Sequence, residues 1–247
     1  MRLYLTRAAL GLVLILVGCS GMRSLQEQIP GQTPHRLHRF LARDIQYFLY
    51  LPEGYSQSRN QRYPLMLFLH GAGERGDTLD LVKKHGPPKL AAAGMAFPFI
   101  IVSPQCRKDA TWKAKPLKKL LDTVIKRYRV DKTRIYLTGL SMGGFGTWSL
   151  AATYPEYFAA IAPICGAGDT RTVNQLIGIP VWAFHGAKDP VVPLKRQQDM
   201  VDALRRAGGD VRFTIYPSAE HDSWTVTYDN PELYTWLLSH RKTAHGN

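Results

Sequence analysis

Residues 134–146 constrain this chain more than any other stretch. An apolar run, Ile135 to Thr138, drives straight into Gly139-x-Ser141-x-Gly143, and a helix-like segment follows. A strand, a turn too tight for side chains beside the serine, and then a helix form the arrangement that holds a serine hydroxyl out of the backbone for nucleophilic attack. The two glycines remove Cβ atoms where strand and helix must pass closely, and they permit a strained backbone between them. The unpaired N–H groups and positive dipole end of the helix then face the serine, ready to bind an oxyanion.

Three further segments extend this reading. Tyr63 to Leu69 is a buried-strand run ending in the glycine-rich turn His70-Gly71-Ala72-Gly73, the position for a second oxyanion donor after the third strand. Ile179 to His185 is another such run, with Asp189 just past its tip, and His221 follows the last strand, Val211 to Tyr216. Ser141, Asp189 and His221 therefore come in the order nucleophile, acid, base, and each lies beyond the C-terminal end of a strand, where open α/β sheets build their sites. His70 and His185, in strand-end His-Gly turns, read as loop-fixing residues. Asp169 is a rival for the acid, while Asp222, adjacent to His221, is poorly placed to orient its ring. Gln105, Trp112 and Trp224 are candidates for the acyl or alcohol pocket, with core packing the alternative for Trp224. His85 reads as a surface residue.

Taken together, the stretches from His70 to Gly76, Lys84 to Lys89, Ser103 to Cys106 and Gly139 to Gly144 resemble the α/β-hydrolase superfamily. Within it, the chain is similar to the compact lidless branch near dienelactone hydrolases and feruloyl-type esterases, in proteins called predicted peptidases or phospholipase/carboxylesterases. The resemblance covers roughly residues 35–240. It implies an α/β fold with a mostly parallel central sheet, helices on both faces and no separate cap domain. It also implies an ester-cleaving serine hydrolase with Ser141 as nucleophile, His221 as base, Asp189 as acid, and the backbone N–H groups of Ala72 and Met142 as the oxyanion hole. A serine peptidase or acyltransferase with the same triad is the alternative, and a non-catalytic binding lipoprotein a third reading. No cofactor is expected, since no His/Cys or HExxH cluster has metal-ligand spacing.

The coarse path reads β-β-β-α-β-α-β-α-β-α-β-α-β-α. An antiparallel edge hairpin is expected over 35–55, and a helix over Val191 to Ala207. Leu117, Leu120, Leu121, Val124, Ile125 and Tyr128 form one apolar helical stripe. Residues 74–96, broken by Gly86-Pro87-Pro88, read as the longest irregular piece and as a wall of the site. The composition, 45% hydrophobic and 21% charged, suits one globular catalytic domain over 35–242.

The N-terminus reads differently. A basic start with Arg2 and Arg7 precedes an apolar stretch, Ala8 to Val17, that is too short to span a bilayer. It ends in Leu16-Val17-Gly18-Cys19, which resembles a bacterial lipobox. Residues 1–18 are thus expected to be a lipoprotein signal peptide, Cys19 a lipidated residue in the cell envelope, and 19–34 a flexible tether. The partners expected are a small-molecule or polymer-linked ester and, through the anchor, a membrane. The formal charge of +13 is explained mostly by solvated helix faces, and nucleic acid is not an expected partner. Cys106 and Cys165 are expected to stay unpaired, because their strands should lie three positions apart, about 14 Å at roughly 4.8 Å per strand.

Overall fold

A computed structural model describes residues 30–39 and 42–242. The expected signal peptide and Cys19 lie outside the described residues. Among the described residues, eight strands form one sheet in the order β1-β2-β4-β3-β5-β6-β7-β8. They are β1 (Gly31–Arg39), β2 (Ala42–Leu51), β3 (Tyr63–Leu69), β4 (Ile100–Pro104), β5 (Val130–Leu140), β6 (Ala160–Ile164), β7 (Val181–Gly186) and β8 (Val211–Tyr216). β1 and β2 run antiparallel to their neighbours, and the remaining pairings are parallel. The α-helices are α1 (Gly86–Ala92), α2 (Ala114–Arg127), α3 (Met142–Thr153), α4 (Leu194–Arg206), α5 (Trp224–Tyr228) and α6 (Pro231–Ser239).

The apolar runs in the parallel strands have a direct cause. Strand side chains alternate between faces, and a parallel sheet buries both. Leu65, Leu67 and Leu69 of β3 join Leu117, Leu120, Leu121 and Val124 of α2, Trp148 of α3 and Met200, Val201 and Leu204 of α4 in one core. Met66 and Phe68 point the other way, toward Tyr228 of α5 and Leu233, Tyr234 and Leu237 of α6. Truncating a side chain such as the fully buried Leu67 to alanine would cost about 2–5 kcal/mol.

Several expectations shift at element ends. The first strand begins at Gly31, inside the segment read as a tether, because Gly31 to Pro34 pair with Leu51 to Phe48. Pro34 is tolerated there, since an edge strand has one side free of ladder bonds. Residues 74–96 are not irregular: they hold 3-10 turns over Ala72–Glu74 and Leu79–Lys84 and then α1, whose first turn contains Pro87 and Pro88. Proline suits a first turn, where an N–H has no intrahelical partner, so this pair starts a helix. The expected helix from Val191 begins only at Leu194. The backbone N–H groups of Val191 and Val192 are spent on Asp189, and the residue before Pro193 is steered away from helical angles. The β6–β7 connection is a 3-10 stretch, Thr170–Leu176, in place of an α-helix. β4 and β6 stand three positions apart, and Cys106 and Cys165 are both buried and unpaired.

Candidate active site

The parallel strands end along one edge of the sheet, and the singled-out residues meet there. Ser141 joins β5 to α3 at φ 52° and ψ −117°, a left-handed conformation that costs a non-glycine residue about 1–3 kcal/mol. Its neighbours hold it in place: Ser141 N–H donates to the Ile164 carbonyl at 3.0 Å, and Phe145 N–H donates to the Ser141 carbonyl at 3.0 Å. The glycines are required by space. A Cβ at Gly139 would come within 2.5 Å of the Gly143 carbonyl oxygen, and one at Gly143 would run into the Leu69 carbonyl.

His221, in the loop after β8, turns its Nε2 to the Ser141 hydroxyl at 2.9 Å and its Nδ1 to Asp189 Oδ2 at 2.8 Å. Asp189, after β7, accepts on Oδ1 from the N–H groups of Val191 (2.8 Å) and Val192 (2.9 Å). Burial pushes the Asp189 carboxyl up, but the hydrogen bonds from His221, Val192 and Val191 outweigh it and hold the group below its ordinary range. Asp189 is therefore an anion fastened to His221. The rival acids are elsewhere engaged. Asp169 is partly exposed and paired with Arg171 at 2.6 Å, and Asp222 accepts from the Thr225 N–H at the start of α5.

Ala72 and Met142 occupy equivalent places on neighbouring turns. Met142 opens α3, so its N–H is among the first-turn donors that no helix carbonyl reaches. Ala72 opens the 3-10 turn after β3, and Gly71 beside it packs against Leu140, the residue before the nucleophile. His70 braces this loop. Its Nε2 accepts from the Cys106 N–H at 2.9 Å, which leaves Nδ1 to donate to the Gly71 carbonyl at 2.6 Å. Burial lowers the His70 pKa from 6.5 to about 4, so it is a neutral strut. The Trp112 indole N–H donates to the His70 carbonyl at 3.0 Å.

The pocket candidates divide. Trp112 lines a cleft of about 440 Å³ with Thr111, Ser141, Met142, Phe145, Gly146 and Ser149. Trp224 lies on the other side, its ring edge-on to His221 with centroids 5.2 Å apart and also against His85 at 5.4 Å. His85 is therefore half-buried against Trp224, with part of its side chain still at the surface. Gln105 does not line the Ser141 cleft. It is buried, and its amide nitrogen donates to the Glu74 and Thr78 carbonyls at 3.0 and 2.8 Å, tying down the 74–78 loop. The residue that sequence reasoning passed over is Gln197. Its signal is a polar side chain on the buried stripe of α4, with Met200, Val201 and Leu204.

Among the described residues, Cys165, Asp189 and His221 form a His/Cys/carboxylate group compact enough for a metal ion, with ligand atoms within 4.8 Å of one another. Asp189 and His221 already engage each other through a proton. Burial pushes the Cys165 thiol up to about 12, so it offers a thiol and not a thiolate. The arrangement suits proton transfer better than metal binding.

Comparison with known proteins agrees with this chemistry. Residues 39–210 match the model of the family Esterase, described as "Putative esterase". The chain is 27% identical over 191 residues to the bifunctional acetylxylan esterase/xylanase XynS20E of Neocallimastix patriciarum, covering 70% of this chain and 26% of that protein. It is 31% identical over 140 residues to poly(3-hydroxyalkanoate) depolymerase C of Paucimonas lemoignei, covering 50% of this chain and 31% of that one. A solved structure of a thermostable esterase superposes with a TM-score of 0.75 at 32% identity, covering 85% of this chain and 63% of that one. The chain thus spans about a quarter to a third of the curated relatives' length.

Proposed function

The chain belongs to the Esterase family, and we propose that it is a serine carboxylesterase acting through Ser141, His221 and Asp189. The observation that carries this reading is the hydrogen-bonded line from Asp189 through His221 to a serine held in a strained turn. His221 Nε2 takes the hydroxyl proton as Ser141 Oγ attacks the ester carbonyl. Asp189 holds the tautomer and stabilises the imidazolium that forms. The N–H groups of Met142 and Ala72 receive the oxyanion. Collapse expels the alcohol, protonated by His221, and leaves an acyl-serine. Water, deprotonated by the same imidazole, then releases the acid and restores the hydroxyl.

The substrate class we propose is an ester borne on a polymer. The names of the relatives, an acetylxylan esterase and a poly(3-hydroxyalkanoate) depolymerase, support this. So does the position of the nucleophile in an open cleft beside Trp112 and Phe145. Purified protein assayed on aryl acetates, acetylated or feruloylated polysaccharides, polyhydroxyalkanoate and peptide amides tests the reading. Ester turnover that vanishes in Ser141→Ala supports it, and amide cleavage without ester cleavage overturns it. We further propose that Cys19 carries a lipid holding the enzyme to the cell envelope. The support is the Leu16-Val17-Gly18-Cys19 pattern after a short apolar run. Membrane partition that survives a salt wash and is lost in Cys19→Ser is expected, since acyl burial is not screened by ions. Release of the wild type as a free protein would contradict it.

A further inference from the structure

His185 belongs to β7 and is fully buried, four residues before the acid it faces. Its Nδ1 lies 2.8 Å from Gln197 Oε1 and its Nε2 lies 2.8 Å from the Val192 carbonyl oxygen. The same Nε2 is 3.3 Å from Asp189 Oδ2, the oxygen that His221 also uses. The orientation of the Gln197 amide is set by two backbone groups. Gly166 N–H donates to Oε1 at 2.9 Å, and the amide nitrogen donates to the Pro163 carbonyl at 3.2 Å. Turning the amide over would set an N–H against an N–H and an oxygen against an oxygen. Both nitrogens of His185 therefore face atoms that can only accept. A neutral ring would press a lone pair on one of them, in a buried place where an unmade hydrogen bond is costly.

We propose that His185 is a doubly protonated imidazolium, a buried cation that shares the Asp189 carboxylate with His221 and positions it for catalysis. The charged group facing it is Asp189, so the pair satisfies the rule that a buried charge needs both a counter-ion and hydrogen bonds. The line runs Gln197, His185, Asp189, His221, Ser141, and it ties α4 and the end of β6 to the loop that carries the acid. Asp189 is then held by two backbone N–H groups on Oδ1, by the His221 hydrogen bond on Oδ2, and by the positive charge of His185 at 3.3 Å from the same oxygen. With Oδ2 held as well, its aim at His221 Nδ1 does not depend on the Val191 and Val192 N–H groups alone. His185 touches neither substrate nor nucleophile and acts through Asp189, as a positioning residue.

The role in turnover rests on the esterase reading, whereas the protonation state does not. The deciding experiment is a long-range proton–nitrogen correlation spectrum of the full chain labelled with ¹⁵N-histidine at pH 7, recorded on wild type and on inactive Ser141→Ala. Two protonated ring nitrogens on His185 in both proteins are expected. One protonated and one bare nitrogen would overturn the proposal, whatever the enzyme's substrate. For positioning, His185→Asn should lower kcat about tenfold, since it removes the positive charge 3.3 Å from Asp189 Oδ2, with KM nearly unchanged. A folded His185→Asn with wild-type kcat would refute the positioning role. Should that variant fold poorly, the nitrogen spectrum of the wild type still decides.

Discussion

The neutral state of His70 has a measurable consequence for stability. In the folded chain, Nε2 accepts from the Cys106 N–H, so a second proton would have to displace that bond and sit in a fully buried site. Burial holds the folded pKa at about 4, against 6.5 for the free side chain. Between these two values the unfolded chain takes up a proton that the folded chain refuses. Stability therefore falls as the pH drops through that window, is unaffected by His70 above about 6.5, and is fully reduced below about 4. At about 1.4 kcal/mol per pH unit the loss approaches about 3 kcal/mol. His70→Gln removes the titration. At pH 7 the variant should be the less stable protein, since the Cys106 N–H and the Gly71 carbonyl lose their partner. The gap should narrow by up to about 3 kcal/mol on going to pH 4, because only the wild type pays the proton penalty. Urea unfolding of both proteins at several pH values between 7 and 4 measures the gap, and other titrating groups cancel in the difference. A gap that stays constant across the window would refute the argument that His70 is a neutral strut.

Two further outcomes follow from the same geometry. Ser141→Gly and Ser141→Ala should both abolish ester turnover, but the glycine variant should be the more stable by about 1 kcal/mol, because only glycine relaxes the φ of 52°; denaturant midpoints check this. Asp189→Asn should lose about four orders of magnitude in kcat, as tautomer control is lost. Asp169→Asn should turn over normally, its carboxylate being paired with Arg171 on the surface. Reversal of that pattern in steady-state assays would move the acid.

Much of the site was legible because its parts sit at strand ends, and strand ends are marked by apolar runs meeting glycine. Ser141 and Asp189 could be placed this way without knowing any distance, and His221 by its place after the last strand. Side-chain direction was not legible. Gln105 follows β4 just as a pocket residue would, yet it turns to the Glu74 and Thr78 carbonyls, a choice made by a loop some thirty residues earlier in the chain. The start of β1 depended on the length of its partner: β2 runs to Leu51 and offers ladder bonds as far as Gly31, which no local propensity records. The Pro87-Pro88 pair was ambiguous for a related reason, since proline both breaks helices and begins them, and burial of Gly86, Pro87 and Pro88 decided for a beginning. Gln197 was missed because a polar residue on an amphipathic helix is read as outward-facing. Its partners, His185, Pro163 and Gly166, come from β7, from β6 and from the loop just after β6.

The most direct test of the central claim is mass spectrometry of the protein after reaction with a fluorophosphonate, alongside its ester turnover. The account predicts one phosphonyl group per chain, carried on the peptide containing Ser141, with activity lost in proportion and no adduct on His221→Ala. An adduct on another residue, or full esterase activity in a chain labelled at Ser141, would contradict it.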